Sequence, residues 1–454
     1  MSNNSVPEGG IRHAFQELGT PKTLVLGLQH MFAMFGATIV VPILVSGYFG
    51  LDSADLIQLT LFCAGFGTLF FHLCTKFKVP AFLGSSFAFL GGFASVAALD
   101  TGIYADMEAA DKLSYACGGI VVAGLLYLVL AAIIQVVGVK RVMRFLPPVV
   151  TGPIIILIGL SLASSAVSSA SSNWFLAIVA LLIIVVANIW GKGMVKIIPI
   201  LLGVVGAYVV ALIMMALGFT NPDGSAIIDF SGVAAAVSSG VSGFIGLPKF
   251  RLAKFDLTAI LVMAPIAVAT MMEHIGDISS ISATTGENYV EDPGLQRTLL
   301  GDGIATALAG LIGGPANTTY GENTGVLALS KVYDPMVIRL AAIYAVVLSL
   351  LPVAAQFIGS IPSAIIGGVS FVLYGMISAI GVRNMVENHV DLTNSRNLII
   401  AALILVSGLG FSDGITFQVA GTSITLTSLA VAALVGIITN AILPGKDYEF
   451  ESQQ

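Results

Sequence analysis

Three carboxylates lie in strongly apolar stretches of the sequence. Glu273 and Asp277 belong to the run ATMMEHIGD at residues 269–277, and Glu322 directly follows the run NTTYG at residues 317–321. A charged side chain at the centre of a bilayer costs about 2.5 to 3.5 kcal/mol on insertion scales, so carboxylates in such positions are candidates for function. Residues 273 and 277 are four apart, which predicts that both side chains share one face of a helix.

The surroundings of the two glutamates indicate what they could do. No Lys or Arg lies near Glu273 or Glu322 in the sequence. A buried carboxyl group without an ion-pair partner tends to keep its proton, because burial disfavours the charged form. These residues therefore predict a ligand site that can also carry a proton, with Asp277 in the same network. The alternative is that each glutamate caps a broken helix by accepting backbone N–H bonds, and for Glu322 the two roles are compatible.

An imidazole and three aromatic rings complete the set of candidate site residues. His30 is a lone imidazole in the apolar run LQHMFAMFGAT at residues 28–38. We assign it to the site network, as a structural tether between helices rather than as a substrate ligand. Phe87, Tyr320 and Tyr374 have glycine-rich surroundings. Their rings could stack on a planar ligand, although core packing is the alternative for each of them.

The composition indicates which kind of fold must position these residues. Of the 454 residues, 57% are hydrophobic and only 10% are charged, against roughly 25% charged in an average soluble domain. A membrane-spanning helix needs about 20 apolar residues, and such stretches recur along the chain. We therefore predict an all-α polytopic membrane protein. Residues 1–20 lack an apolar core with a small-residue cleavage site, which predicts no signal peptide and a cytoplasmic amino terminus.

Several function classes lack their sequence signals. Cys63, Cys74 and Cys117 show no CxxC or His spacing, which argues against a metal site or a disulfide framework. The chain has no phosphate-binding loop with Lys and Ser or Thr, and no HExxH or GxSxG motif. We therefore expect neither ATP-driven transport nor enzyme activity, and neither a cofactor nor a nucleic-acid partner.

Apolar segments, separated by Gly, Pro and charged residues, predict fourteen membrane spans. Their approximate limits are 22–46, 56–75, 80–98, 115–138, 146–165, 173–190, 196–218, 257–276, 300–314, 317–331, 336–358, 361–382, 396–413 and 426–443. With the amino terminus inside, all but four of the 19 Lys and Arg residues lie in or beside cytoplasmic segments, as the positive-inside rule requires. The exceptions are Lys112, Lys249, Arg251 and Lys254. An even number of spans places both termini in the cytoplasm.

The third and tenth predicted spans are short and similar to each other. The run GSSFAF at residues 84–89 and the run NTTYGE at residues 317–322 both follow a proline and contain two hydroxyl residues and an aromatic residue. Matching elements at positions three and ten of fourteen predict a seven-plus-seven inverted repeat. Such interrupted segments indicate a transporter binding site. We expect residues 80–86 and 315–320 to be extended and to lead into half-helices, the alternative being two short surface helices.

Four of these motifs together resemble one known family. The runs PANTTYGENTGV at 315–326, EHIG at 273–276, LQHMFAMFGAT at 28–38 and GSSFAF at 84–89 resemble the nucleobase/ascorbate transporter family, and within it the bacterial uracil:proton symporters, or uracil permeases. The resemblance extends over essentially the whole chain. It implies proton-coupled uptake of a nucleobase across the cytoplasmic (inner) membrane, with membrane lipid around a multi-pass protein.

The resemblance also implies an architecture and a set of ligands. A core domain would combine segments 22–138 and 257–358, and a gate domain would combine 146–218 and 361–443. The family would form a homodimer through its gate domains and move the core like an elevator. The implied substrate-binding residues are Glu273, Glu322, Phe87, Gly321, Tyr320, Ala37 and Tyr374. For Phe87 and Gly321, nearby backbone groups would provide the contact.

Two positions bear on the substrate and leave alternatives open. Purine-transporting relatives usually carry Gln in place of Glu322, so this glutamate favours a pyrimidine, uracil first. The uracil branch usually has His at the position of Asp277, whereas Asp resembles the purine branch. A purine or xanthine permease, or one that takes uracil, thymine and xanthine, is therefore the alternative. An anion transporter of the related seven-plus-seven fold is the second alternative, but buried carboxylates disfavour an anion site. Coupling to sodium instead of protons also stays open.

Overall fold

The computed structural model describes residues 10–412, 414–419 and 422–445, except for the side chains of residues 322, 418, 419 and 422–424. The described chain is mostly helical. Its helices are α1 (Ala14–Glu17), α2 (Thr20–Phe49), α3 (Ser53–Cys74), α4 (Leu90–Ala97), α5 (Ala109–Val137), α6 (Val139–Met143), α7 (Pro148–Ser161), α8 (Ala163–Ala170), α9 (Trp174–Trp190), α10 (Met194–Ile197), α11 (Pro199–Ala216), α12 (Ser231–Ser238), α13 (Val241–Phe244), α14 (Leu257–Met263), α15 (Ile266–Thr285), α16 (Leu295–Leu311), α17 (Gly321–Ser330), α18 (Pro335–Ser349), α19 (Pro352–Gly359), α20 (Ser363–Glu387), α21 (Ser395–Gly410) and α22 (Ser428–Ile442). Four short strands, β1 (Leu83–Ser85), β2 (Asn317–Thr319), β3 (Ile415–Val419) and β4 (Thr422–Leu426), form two antiparallel pairs.

Many of these helices have the length and composition of membrane spans. Within the described residues, seven helices or near-continuous helix pairs are long and apolar enough to cross a bilayer. The pair α18 and α19 makes an eighth if it is counted as one span, but it bends by 89°. Each of the fourteen predicted segments contains at least one helix. The predicted count of fourteen crossings stays a prediction.

The sharp bend departs from the predicted continuous span 336–358. Pro352 opens α19, and Leu351 before it is outside the helical region, with φ −111° and ψ 88°. A residue that precedes proline is disfavoured in the helical region, since the proline ring clashes with its backbone. The predicted span ran through this proline, whereas the chain turns away at it.

The outer surface of the bundle shows the pattern of a lipid-facing protein. Along α9 the small residues Ala177 and Ala180 are buried, whereas Ile178, Leu182 and Val186 are exposed. Large apolar side chains exposed over a whole helix face are rare on soluble monomers. A bilayer accounts for them, because lipid tails are as apolar as leucine.

The helices pack in two sets. In the first, α5 lies against α16, α3 lies against α18, and α2 and α14 pack beside them. In the second, α7, α8 and α9 pack on α20, α9 packs on α11, and α21 packs on α22. The sets meet where α15 contacts α7 and α22, where α2 contacts α11, and where β4 contacts α14. The helix that carries Glu273 therefore lies at the boundary between the two sets.

A two-stranded sheet lies inside the first set of helices. The strands lie within the predicted extended segments 80–86 and 315–320, and Gly84 pairs with Thr318 at their centre. All residues of both strands are buried. A 3₁₀ turn, Phe87–Phe89, leads from β1 into α4, and α17 begins two residues after β2.

Side chains from neighbouring helices satisfy the outer edges of this sheet. On the β1 side, the Thr68 hydroxyl accepts from Leu83 N at 2.9 Å and lies 3.2 Å from Leu83 O. On the β2 side, Thr306 Oγ1 donates to Asn317 O at 3.0 Å. A buried strand edge without partners would leave costly unpaired backbone groups. The sheet can therefore lie in an apolar interior.

The four basic residues that break the positive-inside pattern include three with local partners. Lys249 pairs with Asp55 at 2.9 Å, and Lys254 pairs with Asp111 at 2.8 Å. Lys112 donates to the carbonyl of Leu99, close to the carboxyl end of α4. Most of these exceptions are thus locally compensated.

Candidate functional site

One face of α15 lies against the second strand and brings carboxylates to hydroxyls. Thr318 Oγ1 donates to Glu273 Oε2 at 3.4 Å, and Thr319 Oγ1 donates to Asp277 Oδ2 at 3.1 Å. Asp277 is buried and Glu273 is partly buried. The predicted sharing of one helix face by Glu273 and Asp277 agrees with this arrangement, because adjacent residues of β2 contact both.

A buried histidine–aspartate pair lies directly behind these contacts. His274 Nδ1 is 2.8 Å from Asp302 Oδ2, and both side chains are fully buried. The rings of Phe71 and Tyr127 pack edge-on against His274, with centroids 6.3 and 6.5 Å away. His274 Nδ1 also lies 3.5 Å from Thr319 Oγ1, which links the pair to Asp277.

Sequence reasoning missed Asp302, although the signal was present. Asp302 is a carboxylate inside the predicted span 300–314, and intramembrane carboxylates are functional candidates by default. Unlike Glu273 and Glu322, it lies outside the motifs that carry the family resemblance. The structure places it beside the site, in contact with His274.

Tyr320 joins the two strands through its hydroxyl group. Its OH donates to Ser85 O at 2.9 Å and lies 3.4 Å from Thr38 Oγ1 on α2. Ser85 Oγ in turn donates to Thr38 O at 3.0 Å. The ring covers Gly84 so closely that a Cβ atom there would lie 2.3 Å from Tyr320 Cζ. In the structure Tyr320 fixes the strand crossing, and its predicted place in the pocket wall stays a prediction.

The other predicted aromatic residues face each other. The rings of Phe87 and Tyr374 meet edge to face, with centroids 5.6 Å apart and an interplanar angle of 78°. This contact joins the start of the α4 segment to α20, which belongs to the second set of helices. Ala37 is fully buried on α2, next to Thr38 in the sequence. These residues could enclose a flat ligand between the two sets.

Two helical segments begin at the strand crossing. Residues 87–89 open one of them, and Gly321 is the first residue of α17. The first N–H groups of a helix lack partners within the helix and carry its positive dipole end. A Cβ atom at Gly321 would lie 3.3 Å from Asp277 Oδ1, so this helix start approaches the carboxylate closely.

The predicted ligand Glu322 lies in the first turn of α17, and its side chain is outside the described part of the chain. The next residue, Asn323, is one the sequence reasoning did not single out. It is 1% exposed, and neither polar atom of its side chain has a hydrogen-bond partner among the described residues. Its place after Glu322 in a recurring motif was the available signal.

His30 is fully buried on α2, as expected for an intramembrane imidazole. Among the described residues, neither of its ring nitrogens has a hydrogen-bond partner. The predicted tether from His30 to a hydroxyl or carboxylate is therefore not seen as a hydrogen bond. Its membership of the site network stays a prediction.

This arrangement suits a small planar molecule with both N–H and carbonyl groups. Carboxylates accept hydrogen bonds from N–H groups, and the amides at helix starts donate to carbonyl oxygens. A carboxyl group can also bind or release a proton. Within the described residues, no group of three or more His, Cys, Asp or Glu side chains could hold a metal ion.

Comparison with solved structures shows the same fold in membrane transporters. The transmembrane domain of the cyanobacterial bicarbonate transporter BicA superposes with a TM-score of 0.58, over 95% of this chain and 99% of that one. Murine solute carrier 26 family member A9, an anion transporter in the inward-facing state, gives a TM-score of 0.57 over 92% and 67%. Identities of 14% and 10% limit the likeness to the fold.

Comparison of sequences identifies the family. A model described as "Permease family" matches residues 21–417. The uracil permease of Bacillus caldolyticus is 39% identical over 94% of this chain and 94% of its own length. The uracil permease of Bacillus subtilis is also 39% identical over 94% of both chains, and the putative pyrimidine permease RutG of Escherichia coli is 37% identical over 97% and 93%. These relatives are transporters and not enzymes. Together with the apolar helices and the motifs, they show that the chain is a multi-pass membrane transport protein of the permease family that contains the nucleobase/ascorbate transporters.

Proposed function

We propose that this protein takes up uracil across the cytoplasmic membrane together with a proton. The observation that carries the proposal is the meeting of Glu273 and Asp277 with the Thr318 and Thr319 hydroxyls beside two helix starts. Relatives named uracil permease, 39% identical over nearly the full length, support the choice of substrate.

The chemistry of uracil matches the groups at the site. Its ring is flat and carries two N–H donors and two carbonyl acceptors. Glu273 and Glu322 would accept from the N–H groups, and the amides near Phe87 and Gly321 would donate to the carbonyls. The faces of Tyr320 and Tyr374, with Ala37, would bound the ring. The resemblance to the family supports these roles, and for the residues other than Glu322 the position beside the strand crossing supports them as well.

Proton coupling would act through the charge of the loaded protein. Protonation of Glu273 or Glu322 would favour uracil binding and neutralise the moving part, which lowers the cost of crossing the bilayer. Asp277 and the His274–Asp302 pair lie next to this site and would exchange the proton with it. A charge driven by about 150 mV supplies roughly 3.5 kcal/mol, enough for a gradient of about several hundredfold.

The proposed movement is an elevator-like shift of a core domain against a gate domain. The core would comprise residues 22–138 and 257–358, and the gate 146–218 and 361–443. The two sets of packed helices support this division. Uracil would be held between the sets, close to the boundary where α15 contacts α7 and α22.

The packing pattern also supports fourteen spans in an inverted repeat, with segments three and ten as half-helices. In that numbering α3 and α18 are spans two and eleven, while α5 and α16 are spans four and nine. The inverted repeat relates span two to span nine and span eleven to span four. It therefore relates the pair α3–α18 to the pair α16–α5, and the helices of each pair are in contact. The same repeat relates α9 with α11 to α21 with α22, which also pack together.

The remaining parts of the proposal concern assembly and orientation. The protein would form a homodimer through its gate domains, with both termini in the cytoplasm. The family resemblance supports the dimer, and the distribution of Lys and Arg supports the orientation. Crosslinking in native membranes and accessibility of tags at the two termini would test these points separately.

Uptake into vesicles tests the transport activity. The purified protein is reconstituted into liposomes, and uptake of labelled uracil is measured with an imposed proton gradient, with a sodium gradient, and with neither. We expect accumulation with the proton gradient, and its loss when an ionophore collapses that gradient. Accumulation driven by sodium alone would contradict proton coupling, and the absence of uracil uptake under every gradient would contradict the substrate.

A purine or xanthine permease is the alternative that a specific residue favours, because Asp277 matches that branch. Competition of uracil uptake by excess xanthine and thymine measures this breadth. The variant Glu322→Gln tests the selection of pyrimidine: we expect it to lose uracil uptake. Full retention of uracil uptake would remove the main argument for uracil over a purine.

A further inference from the structure

A cavity of about 720 Å³ lies apart from the site, where the ends of several helices of the second set meet. Its wall is formed by α6 and the start of α7, by the turn between α20 and α21, and by the end of α22. The carboxylates of the transport site are not among its lining residues. Its volume is in the range of small-molecule sites in proteins, about 300 to 1,000 Å³.

Basic side chains dominate the charges on this wall. Lys140, Arg144 and Arg396 line the cavity, together with His389. None of the three Lys and Arg residues belongs to an ion pair among the described residues. Asp391 is the carboxylate among the lining residues, and its Oδ1 already accepts from the N–H and hydroxyl of Thr393, at 2.8 and 2.6 Å.

Arg396 is held at the cavity by neutral groups. Its Nη2 donates to the backbone oxygen and to the Oδ1 of Asn440, both at 2.8 Å. Asn440 in turn donates to Arg144 O at 3.0 Å, which ties α22 to the segment before α7. These bonds orient the guanidinium group, and no carboxylate of the described residues forms an ion pair with it.

Two helix starts add to the positive potential. Both α7, which begins at Pro148, and α21, which begins at Ser395, have their first turns at the cavity. Arg396 lies in the first turn of α21, and its guanidinium group donates to the Asn440 carbonyl in the last turn of α22, where the helix dipole favours a cation. The positive potential of the helix starts therefore adds to that of Lys140 and Arg144.

The wall also offers an unused acceptor. Asn397 lines the cavity, is 2% exposed, and donates from Nδ2 to Asp391 O at 3.0 Å. Its Oδ1 has no hydrogen-bond partner among the described residues. A hydroxyl or N–H group could satisfy this oxygen after a small side-chain shift.

We propose that this cavity binds an organic phosphate that also carries a hydroxyl or N–H donor. Arginine and lysine are the side chains that most often bind phosphate, and helix starts bind it as well. The cavity is much larger than an inorganic ion. The same chemistry is found in soluble phosphate monoesters and in the headgroup of an anionic phospholipid.

Calorimetric titration of the full-length protein in a neutral detergent tests the soluble source. The probes are glycerol 3-phosphate and uridine monophosphate, with glycerol and uridine as uncharged controls. We expect a phosphate ester to bind, the uncharged probes not to bind, and added salt to weaken the binding. The double variant Lys140→Gln with Arg144→Gln should lose at least roughly tenfold in affinity, since it removes two charge-assisted contacts.

The matched control is the double variant Lys192→Gln with Lys196→Gln, which removes two exposed charges that do not line the cavity. It should bind like the original protein. Uptake of labelled uracil by both double variants shows that each is folded and inserted. This readout also separates the proposal from the transport function, because uptake can fail while phosphate binding persists, and the reverse.

The lipid source is tested in nanodiscs. Native mass spectrometry after reconstitution in phosphatidylglycerol or phosphatidylcholine should show phosphatidylglycerol retained by the original protein and lost from the Lys140→Gln, Arg144→Gln variant.

Binding in either arm supports the proposal and identifies the source. Failure in both arms, or equal binding by the variant, would overturn it. So would binding that appears only after removal of residues 446–454, because their acidic residues follow the cavity rim in sequence and would then be its occupant.

Discussion

The Thr319 hydroxyl lies next to two acidic groups, the Asp277 carboxyl and the His274–Asp302 pair. It donates to Asp277 at 3.1 Å and lies 3.5 Å from the nitrogen of His274 that pairs with Asp302. A change of charge at Asp302 would therefore reach Asp277 through three contacts, by way of His274 and Thr319. Glu273 is next to His274 in the sequence, and its side chain also contacts β2, through Thr318.

Glu273→Gln should abolish efficient uracil uptake while the protein stays folded. The amide keeps the shape of the side chain but loses the charge that accepts an N–H bond. A lost hydrogen bond to a charged group costs about 2 kcal/mol, which corresponds to roughly 30-fold in affinity at 1.4 kcal/mol per factor of ten. Labelled uracil uptake and binding measure the effect. Glu291→Gln, at an exposed carboxylate, is the matched control, and equal losses in both variants would contradict a specific role.

Asp302→Asn and His274→Gln should each lower the thermal stability, and their effects should not add. Removal of one partner leaves a buried polar group of the other without its partner, which costs about 1 to 3 kcal/mol. In the double variant the second change should cost much less. Thermal unfolding in detergent of the four proteins of this double-mutant cycle measures the coupling. Strict additivity would show that the 2.8 Å contact contributes nothing.

At the strand crossing, the sequence predicted the two extended segments but not their pairing. Proline followed by hydroxyl residues indicated extended chain at 80–86 and 315–320, and strands lie there. The pairing of the two strands was not predicted, since nothing local in either segment specifies a partner so far along the chain. The closing of the sheet edges by Thr68 and Thr306 depends on helix packing, which single-residue patterns do not encode.

Gly84→Ala should destabilise the crossing. The new methyl group would lie 2.3 to 2.4 Å from ring atoms of Tyr320, so the ring must move and weaken its bond to Ser85 O. Overpacking of this kind costs about 1 to 3 kcal/mol. Thermal unfolding and uracil binding should both decline.

Gly91→Ala provides the control for this change, because a Cβ atom there meets no atom within 4 Å. Gly91 lies in α4, and alanine is favoured over glycine in a helix by about 1 kcal/mol. This variant should be as stable as the original protein or more so. Equal stability of the two alanine variants would show that the Tyr320 ring can move aside without loss of stability.

For the whole molecule, composition and hydropathy predicted the class and the helical segments, and the structure has a helix in each segment. Extents were less accurate: span 257–276 corresponds to α14 and α15, which continue to Thr285. The hairpin of β3 and β4 was not predicted, because residues 414–425 were assigned to the loop between spans thirteen and fourteen. Hydropathy identifies the apolar spans, but it does not show that a connecting segment forms a hairpin.

A disulfide between the two helix sets should stop transport if they move against each other. Gly36 on α2 faces Ile200 on α11, and a Cβ atom at Gly36 would lie 3.2 Å from Ile200 Cβ, so the two backbones must separate slightly to reach the roughly 3.5 to 4.5 Å of disulfides. Oxidised Gly36→Cys, Ile200→Cys protein should lose uracil uptake, and reduction should restore it. Mass spectrometry confirms the bond, and Ile200→Cys alone controls for the substitution.

A bond within one set serves as the comparison. A Cβ atom at Gly301 would lie 3.2 Å from Cys74 Cβ, and both residues belong to helices of the first set, so Gly301→Cys should crosslink to the native cysteine without stopping uptake. Full uptake by the oxidised Gly36→Cys, Ile200→Cys protein would contradict movement of one set against the other. Loss of uptake in both crosslinked proteins would indicate a general need for flexibility instead.

The antiparallel pairing of β1 with β2 has a consequence for biogenesis. Tyr320 binds the backbone of Ser85 across 235 residues of sequence, so the ribosome makes β1 long before its partner. Backbone groups at membrane depth are stable only when protein or water surrounds them. During synthesis the first half must therefore wait, with residues 83–85 incompletely paired, until the second half is inserted. The two halves are obligate partners in assembly, and a nascent chain arrested before residue 317 is a natural substrate for membrane quality control.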